Sequence, residues 1–514
     1  MLATLLIAAF QAGTVSGTVT AADGKPAAGV MVAARSRAPA VAHATLTGAD
    51  GRFRLAVNGA GPFTVQVDDP GWRSVPAEPV AAGVGDLKLI AQARPADERR
   101  YHSSAWLGML PDGEDKRKFI LDCTGCHQFN ESRALKDSVP RRADQWTVDV
   151  ARMLNFAGAN SNFPVIAADR DPTATGTFVH SAVAAAWPAR LTAAMPQPTG
   201  RAVITEYDLP VAQDLPHDLA VDSSGAIVIT GMFSHRMFVL NPETAAVREE
   251  PIPVPQANPR AVELDRQGRW WVLLGNPRQI ARFDGKTWKT FSIGMYPHSI
   301  GVTPDGSAAW FNGHFTKNPI LIGRLDPALG TVQQFEAPAH PVLSQAGGPV
   351  PYEQRIAPDG KVWTSELLGN RLLGFDPATS RFETFTLPTP HSGPRRFDIA
   401  RDGKLWIPAY SANLLVEFDP TTRRFTEYRL PLPDAVPYIA RVNHRTGDVW
   451  IGTAAADAIL RFEPGSKRFT AYPVLTRGAT MRHMAIDPRT GAVWVAYGAA
   501  PALHPSRIAR LTLE

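Results

Sequence analysis

Only two cysteines, Cys123 and Cys126, occur in the 514 residues, three positions apart. A disulfide across so short a span closes too small a loop to stabilise much, and without a third cysteine a zinc site is short of ligands. No stretch approaches the roughly 20 uninterrupted apolar residues that cross a bilayer. No transmembrane segment is therefore expected once the short apolar start MLATLLIAAFQAG (residues 1–13) is set aside. That start reads as an export signal, although the usual preceding Lys or Arg is missing, and the expected location is periplasmic or otherwise exported. Nor is there a block of one charge sign. The formal net charge of +5 is spread along the chain, which argues against nucleic acid as a partner.

What is present suits a globular protein: 44 % apolar and 20 % charged residues, over a length that implies two or more domains. Gly (41) and Pro (45) exceed their average combined usage of roughly 12 %, as in chains with many tight turns. The expected fold is mainly β.

Residues 14–92 alternate in short strands between Gly-rich turns, in GTVSGTVTAADGKPAAGVMVAARS, ATLTGADGRFRLAV and PFTVQVDDPG. This is the pattern of a small β-sandwich. The start GTVTAADGKPAAGVMV and the hairpin TGADGRFRL resemble the carboxypeptidase regulatory-like domain family, which implies an accessory module without chemistry. Residues 93–198 change character: GEDKRKFILDCTGCHQF, RRADQWTVDVARMLNFAG and GTFVHSAVAAAWPARLTAAM place apolar residues three and four apart. That spacing predicts a small α-helical domain holding both cysteines.

From residue 202 the chain repeats. Units open at Pro216, Pro259, Pro297, Pro351, Pro394 and Pro437, and a seventh opens at Arg482 without its Pro. Four short strands per unit of about 43 residues describe a propeller blade, and no helical pattern separates the strands as a parallel βα repeat requires. The segment RAVITEYDLP before the first unit matches the blade-ending strands, so it is expected to complete the last blade and close a seven-bladed β-propeller over 202–514. The motifs LPHDLAVDSSG, YPHSIGVTPDGSAAWFNG, VPYEQRIAPDGKVWTSE and GPRRFDIARDGKLWIPAY resemble the virginiamycin B lyase (streptogramin lyase) family of propellers.

The cysteines belong to Cys123-Thr-Gly-Cys126-His127, the C-x-x-C-H pattern of c-type haem attachment. Two thiols add across the haem vinyl groups and the adjacent imidazole serves as proximal ligand. A disulfide, a thioredoxin-like redox pair and a zinc site compete with this reading. The redox pair needs a βαβ setting where the surroundings look helical, and one covalent haem c is the reading preferred. With QWTVDVARM downstream, the region resembles small cytochrome c domains, which implies Cys123 and Cys126 as attachment points and His127 as proximal ligand. Met153 is the distal candidate, although its spacing from Trp146 and Val150 suits a helix-core residue equally. Met195 and His180 are the other options.

The residue after each opening position is expected at the central mouth: His217, Arg260, His298, Tyr352, Arg395, Tyr438 and His483, with Glu366 a carboxylate contributed from after the first hairpin. In the lyase family the resemblance implies a His base in a Pro-His motif, a Glu two residues before it and an acidic residue about fourteen after it, helping to hold Mg²⁺. No unit carries all three, so neither lyase chemistry nor Mg²⁺ is supported. The mouth is instead a basic, hydrogen-bonding rim suited to an anionic or polyhydroxylated molecule, unless its side chains merely satisfy backbone groups and water. The sequence thus favours a redox protein exchanging electrons with a soluble carrier or small molecule. A ligand-binding or sensing module ranks second, and a carbon–oxygen lyase third.

Overall fold

A computed structural model of the chain describes residues 12–59, 61–95, 100–161, 163–188, 191, 201–341, 348–498 and 504–514. The export signal read at the N-terminus falls almost wholly outside them, and Met195 falls outside them too.

The N-terminal region is a pair of facing sheets. Ala12–Ala21 lies between Arg52–Asn58 and Leu87–Ala93, with Trp72–Arg73 at the edge. The other sheet is built from Met31–Arg37, Ala40–Leu46 and Thr64–Val67. Alternation explains how they join. Along Arg52–Asn58 every second side chain, Phe53, Leu55 and Val57, is buried, and these meet Val15, Val32, Phe63, Val65 and Leu89 in one core, each worth about 1.5–3 kcal/mol relative to exposure.

Seven four-stranded units follow. Six are self-contained antiparallel meanders, each in sequence order. The seventh is assembled from both ends of the region: Ala202–Asp208 pairs antiparallel with Arg507–Leu513, from Ala202 opposite Leu513 to Asp208 opposite Arg507. This is the closure expected from the repeat. The other edge of Ala202–Asp208 is not left bare, because Ala40–Leu46 of the N-terminal region adds to it, Thr205 opposite His43. One seven-stranded sheet therefore runs from the propeller into the N-terminal region, and an edge that invites pairing with another chain is covered.

Between these regions the described residues form five helices: α1 (Ser103–Leu107), α2 (Glu114–Cys123), α3 (Glu131–Ala134), α4 (Ala143–Ala157) and α5 (Pro172–Ala186). Asp171 caps α5 by accepting from Thr173 and Ala174 N–H. A Cβ on Gly176 would stand 2.6 Å from the Ala143 carbonyl oxygen, so glycine permits the close approach of α4 and α5. The helices do not enclose a core of their own. Trp106, Phe119, Ile120, Phe129, Trp146, Val179 and Val183 share one apolar cluster with Tyr352, Tyr410, Tyr438, Trp450 and Tyr497 of the propeller. Among the described residues no helix is long and apolar enough to cross a membrane.

Candidate functional site

Each blade opens on a residue paired with the end of its second strand: Pro216 with Gly231, Pro259 with Leu274, Pro297 with Gly313, Pro351 with Glu366, Pro394 with Ala409, Pro437 with Thr453 and Met481 with Tyr497. This register corrects the reading of the seventh unit. Met481 holds the Pro position, so Arg482, and not His483, is the mouth residue there.

The mouth residues meet around the channel. His217 and His298 stand edge to face with centroids 5.5 Å apart, and His298 packs on Tyr352 at 4.2 Å. The Tyr352 and Tyr438 hydroxyls are 2.5 Å apart. The Arg395 guanidinium lies over three rings, Tyr410 at 3.9 Å, Tyr438 at 4.2 Å and Tyr352 at 4.8 Å. Arg482 Nη1 donates to the Tyr438 hydroxyl (3.0 Å). Arg260 lies over Tyr296 at 4.9 Å, and its carbonyl accepts from His217 Nδ1 (2.6 Å). Apart from Tyr296, which is half-buried, all of these side chains are buried.

One step along each strand lies a set that the sequence reading passed over. In six of the seven inner strands the ladder is irregular just after the opening residue, and such a bulge lets neighbouring side chains turn to the same side. Asp218 accepts from Arg396 Nη2 (2.8 Å), and Glu353 takes Arg441 (3.0 Å) and Arg355 (2.9 Å). His483 belongs to this set, with Nδ1 accepting the Leu219 N–H (3.2 Å) and Nε2 3.4 Å from Asp218.

Burial governs the charge states. It holds His217, His298 and His483 well below the ordinary imidazole range, with nearby Arg side chains adding to the effect, and takes His314 down to about 3. Burial raises Asp218 to about 7 against the pull of Arg396. Glu353, equally buried, is lowered because Arg355, Arg441 and Arg396 together outweigh the desolvation.

Glu366 is not available to the channel. Its carboxylate is fully buried and held by Arg371 through both Nε and Nη2, and Arg371 is in turn anchored on the Pro338 carbonyl (2.7 Å). The apparent mouth carboxylate is thus half of a structural ion pair.

The helices roof this mouth, and the Cys-x-x-Cys-His loop rests on it. Cys123 ends α2. Thr124 Oγ1 and the Tyr410 hydroxyl are 2.8 Å apart, and the same hydroxyl donates to the Thr124 carbonyl (2.8 Å). Arg482 Nη2 reaches the carbonyls of Gly125 (3.3 Å) and Cys126 (3.1 Å), and Gln128 Nε2 donates to the Ala454 carbonyl (2.7 Å). A Cβ on Gly125 would lie 3.0 Å from Arg395 Nη2, so glycine admits the guanidinium beneath the loop. On the far side Lys317 donates to the Ala159 carbonyl (3.1 Å) and Phe163 packs on Phe315 at 5.2 Å. Two sets of residues found separately in the sequence, the cysteine motif and the propeller mouth, therefore form one site.

Both thiols are free. His127 is half-buried, its Nδ1 is buried without a hydrogen-bond partner, and burial together with Arg133 lowers its pKa. Burial pushes the Cys123 thiol up to about 12, so in the folded chain it is no reactive thiolate. Met153 lies half-buried on α4, and His180 on α5 is tied through Nδ1 to the Arg141 carbonyl (2.8 Å). Beside the motif, at Gln128, a cleft of ≈ 580 Å³ is lined by Tyr101, Trp106, Leu135, Arg100 and Arg477. Among the described residues no group of three His, Cys, Asp or Glu is placed to hold a metal ion.

Residues 14–90 match the carboxypeptidase regulatory-like domain. None of the curated proteins compared matches the chain in sequence. In structure, the chain is similar to a streptogramin B lyase, with a TM-score of 0.54 and 20 % identity, covering 61 % of this chain and 98 % of that one. It is also similar to virginiamycin B lyase from Staphylococcus aureus, with a TM-score of 0.53 and 22 % identity, covering 60 % of this chain and 99 % of the lyase. What is shared is the propeller fold.

Proposed function

We propose that the chain is an exported mono-haem c-type cytochrome fused to a propeller, whose roofed mouth binds the molecule or partner with which electrons are exchanged. The carrying observation is the seating of Cys123–His127 directly on the mouth, through Arg482 to the Gly125 and Cys126 carbonyls and through Tyr410 to Thr124.

The residues present fit a covalent haem. Two free thiols at the required spacing are joined by an imidazole that burial keeps neutral and whose buried Nδ1 has no partner, and a metal ligand must be neutral imidazole. The adjoining cleft at Gln128 sets Trp106, Tyr101 and Leu135 among polar and charged groups that include Arg100, Asn130 and Arg477, and its volume is in the range of cofactor sites. Cys123 and Cys126 would tether the group and His127 would hold its iron, with Met153 the candidate on the other face. Bound there, haem c supplies one-electron transfer. The chain's own residues do the rest: Tyr410 and Arg482 fix the loop, and Arg395 and Tyr438 present donors beneath it. Lyase chemistry finds less support, since Arg371 occupies Glu366, the carboxylate that would have assisted His298 or His483 across the mouth.

Production of the full chain with haem-maturation machinery tests this directly. The intact mass is expected to exceed that of the polypeptide by one haem, with c-type absorption bands that change on reduction and a further change at the iron in Met153→Ala. A mass equal to the polypeptide alone, with thiols free or joined, overturns it.

A further inference from the structure

Among the described residues the mouth positions carry three arginines and no carboxylate; Asp218, one step deeper, reaches the mouth only at His217 Nδ1 (2.8 Å). Arg395 is 3 % exposed, yet among the described residues its guanidinium makes no hydrogen bond or ion pair, and Nε and Nη1 are buried without partners. Arg260 is 4 % exposed and likewise leaves Nε and Nη1 unpartnered, while its Nη2 has the Met232 sulfur at 3.9 Å. Arg482 is spent on carbonyls and the Tyr438 hydroxyl. The acids one step deeper, Asp218 and Glu353, are taken by Arg396, Arg441 and Arg355. Aromatic faces hold Arg395 and Arg260 in place, but a ring face does not replace hydrogen-bond acceptors. Buried charges in folded proteins are paired, and each buried unsatisfied donor calls for an acceptor that is missing.

We infer that the roofed mouth is an anion site centred on Arg395, with Arg482 beside it at the shared Tyr438 ring, and that its ligand is a carboxylate. Guanidinium matches carboxylate in shape and donor geometry, and the faces of Tyr352, Tyr410 and Tyr438 fix the guanidinium that would present those donors. The inference names the ligand class of the mouth and rests on the proposal that the mouth is the binding face, though not on the haem itself. A carboxylate could come from a free small acid or from the carboxylate arms of haem tethered at Cys123 and Cys126, since a Cβ on Gly125 between them would lie 3.0 Å from Arg395 Nη2.

Calorimetric titration of the full chain with acetate, and with acetamide as the neutral control, separates these sources. Saturable acetate binding is expected, with none for acetamide, and Arg395→Gln is expected to weaken it by about tenfold, the loss of one charge-assisted contact. The thiol-less Cys123→Ala/Cys126→Ala chain is the second arm. Equal affinity with and without thiols assigns a free acid, while binding seen only without them assigns the arginines to the haem carboxylates. Absence of acetate binding in every form overturns the inference, as does affinity unchanged in a folded Arg395→Gln. Should Arg395→Gln fail to fold, the wild-type chain still decides, because acetate beside Tyr438 must raise the pH at which that phenol ionises; an unmoved midpoint overturns the site. In the wild-type chain produced with haem-maturation machinery, haem uptake with no acetate response in either arm sinks only this inference, and acetate binding with no haem taken up sinks only the redox reading.

Discussion

Arg395 and Arg396 are consecutive, equally buried and of one residue type, yet their surroundings differ in kind. Arg396 is clasped by Asp218 at 2.8 Å, and its backbone is fixed by the next blade, whose Ala440 N–H donates to its carbonyl (2.8 Å). Arg395 has three tyrosine faces and no acid. Each of the deeper arginines is therefore paired with an acid, Arg355 with Glu263 as well as Glu353, and the mouth is left cationic. A paired buried charge is a structural fixture that is costly to break. An unpaired one is retained against its desolvation cost, which makes it the better candidate for a ligand contact.

The comparison breaks if the two arginines respond alike to removal. Arg396→Met strands Asp218 and part of the Glu353 cluster, so a loss of about 3–5 kcal/mol is expected, read as a drop in the denaturant midpoint of the full chain. Arg395→Met also removes ring contacts, but it relieves an uncompensated charge, and a change of no more than about 1 kcal/mol is expected. Equal losses would mean that Arg395 is as structural as its neighbour.

Acid sharpens the contrast with a smaller effect. His217, His298, His314 and His483 are held neutral by burial. The unfolded chain takes up protons at these positions below about pH 6.5 and the folded chain does not, so stability falls as pH drops through that value. Asp218, raised to about 7, and Glu263 and Glu366, also raised by burial, act oppositely because the folded state protonates them first. The net expectation is a loss of roughly 1–3 kcal/mol per pH unit between pH 6.5 and 5, measured as denaturant midpoints at stepped pH. A flat profile would show that the imidazoles are charged or solvated, and would remove the picture of a centre already saturated with positive charge.

The repeat, the closing strand and the propeller class were legible because a blade imposes a fixed spacing of turns and alternating strands. The seventh mouth residue was not, because Met481 stands where six units carry Pro or its paired equivalent, and the count slipped from Arg482 to His483. Asp218, Glu353 and Arg396 were missed for a different reason. Alternation predicts that only every second residue faces the channel, and the irregular ladder after the opening residue defeats that rule. Glu366 was found by position, but its partner Arg371 five residues on, across the hairpin, was not sought. Nothing local to Cys123–His127 announces that the loop lies on Tyr410 and Arg482, some 290 and 360 residues away. Such docking is set by the shared core and not by any motif.

The smallest expected effect is the most specific to the mouth. Burial alone would raise Tyr438, but Arg395, Arg482 and Arg396, with the hydrogen bond from Tyr352, bring it down to about 8, while burial keeps Tyr352 well above the usual phenol range. The pair thus gives up one proton early, and a single phenol among the nine tyrosines is expected to ionise near pH 8 in a tyrosinate absorbance titration of the folded chain. Because this folded-state value lies below that of the unfolded chain, the group's contribution to stability grows as pH rises from about 8 to 10 and is absent below that window. Tyr352→Phe removes the donor and is expected to shift the midpoint upward by about one unit, without the stability loss of Arg396→Met. No early phenol in the wild type would mean that the cationic field at the mouth is already neutralised by something else, and the difference between Arg395 and Arg396 would lose its electrostatic basis.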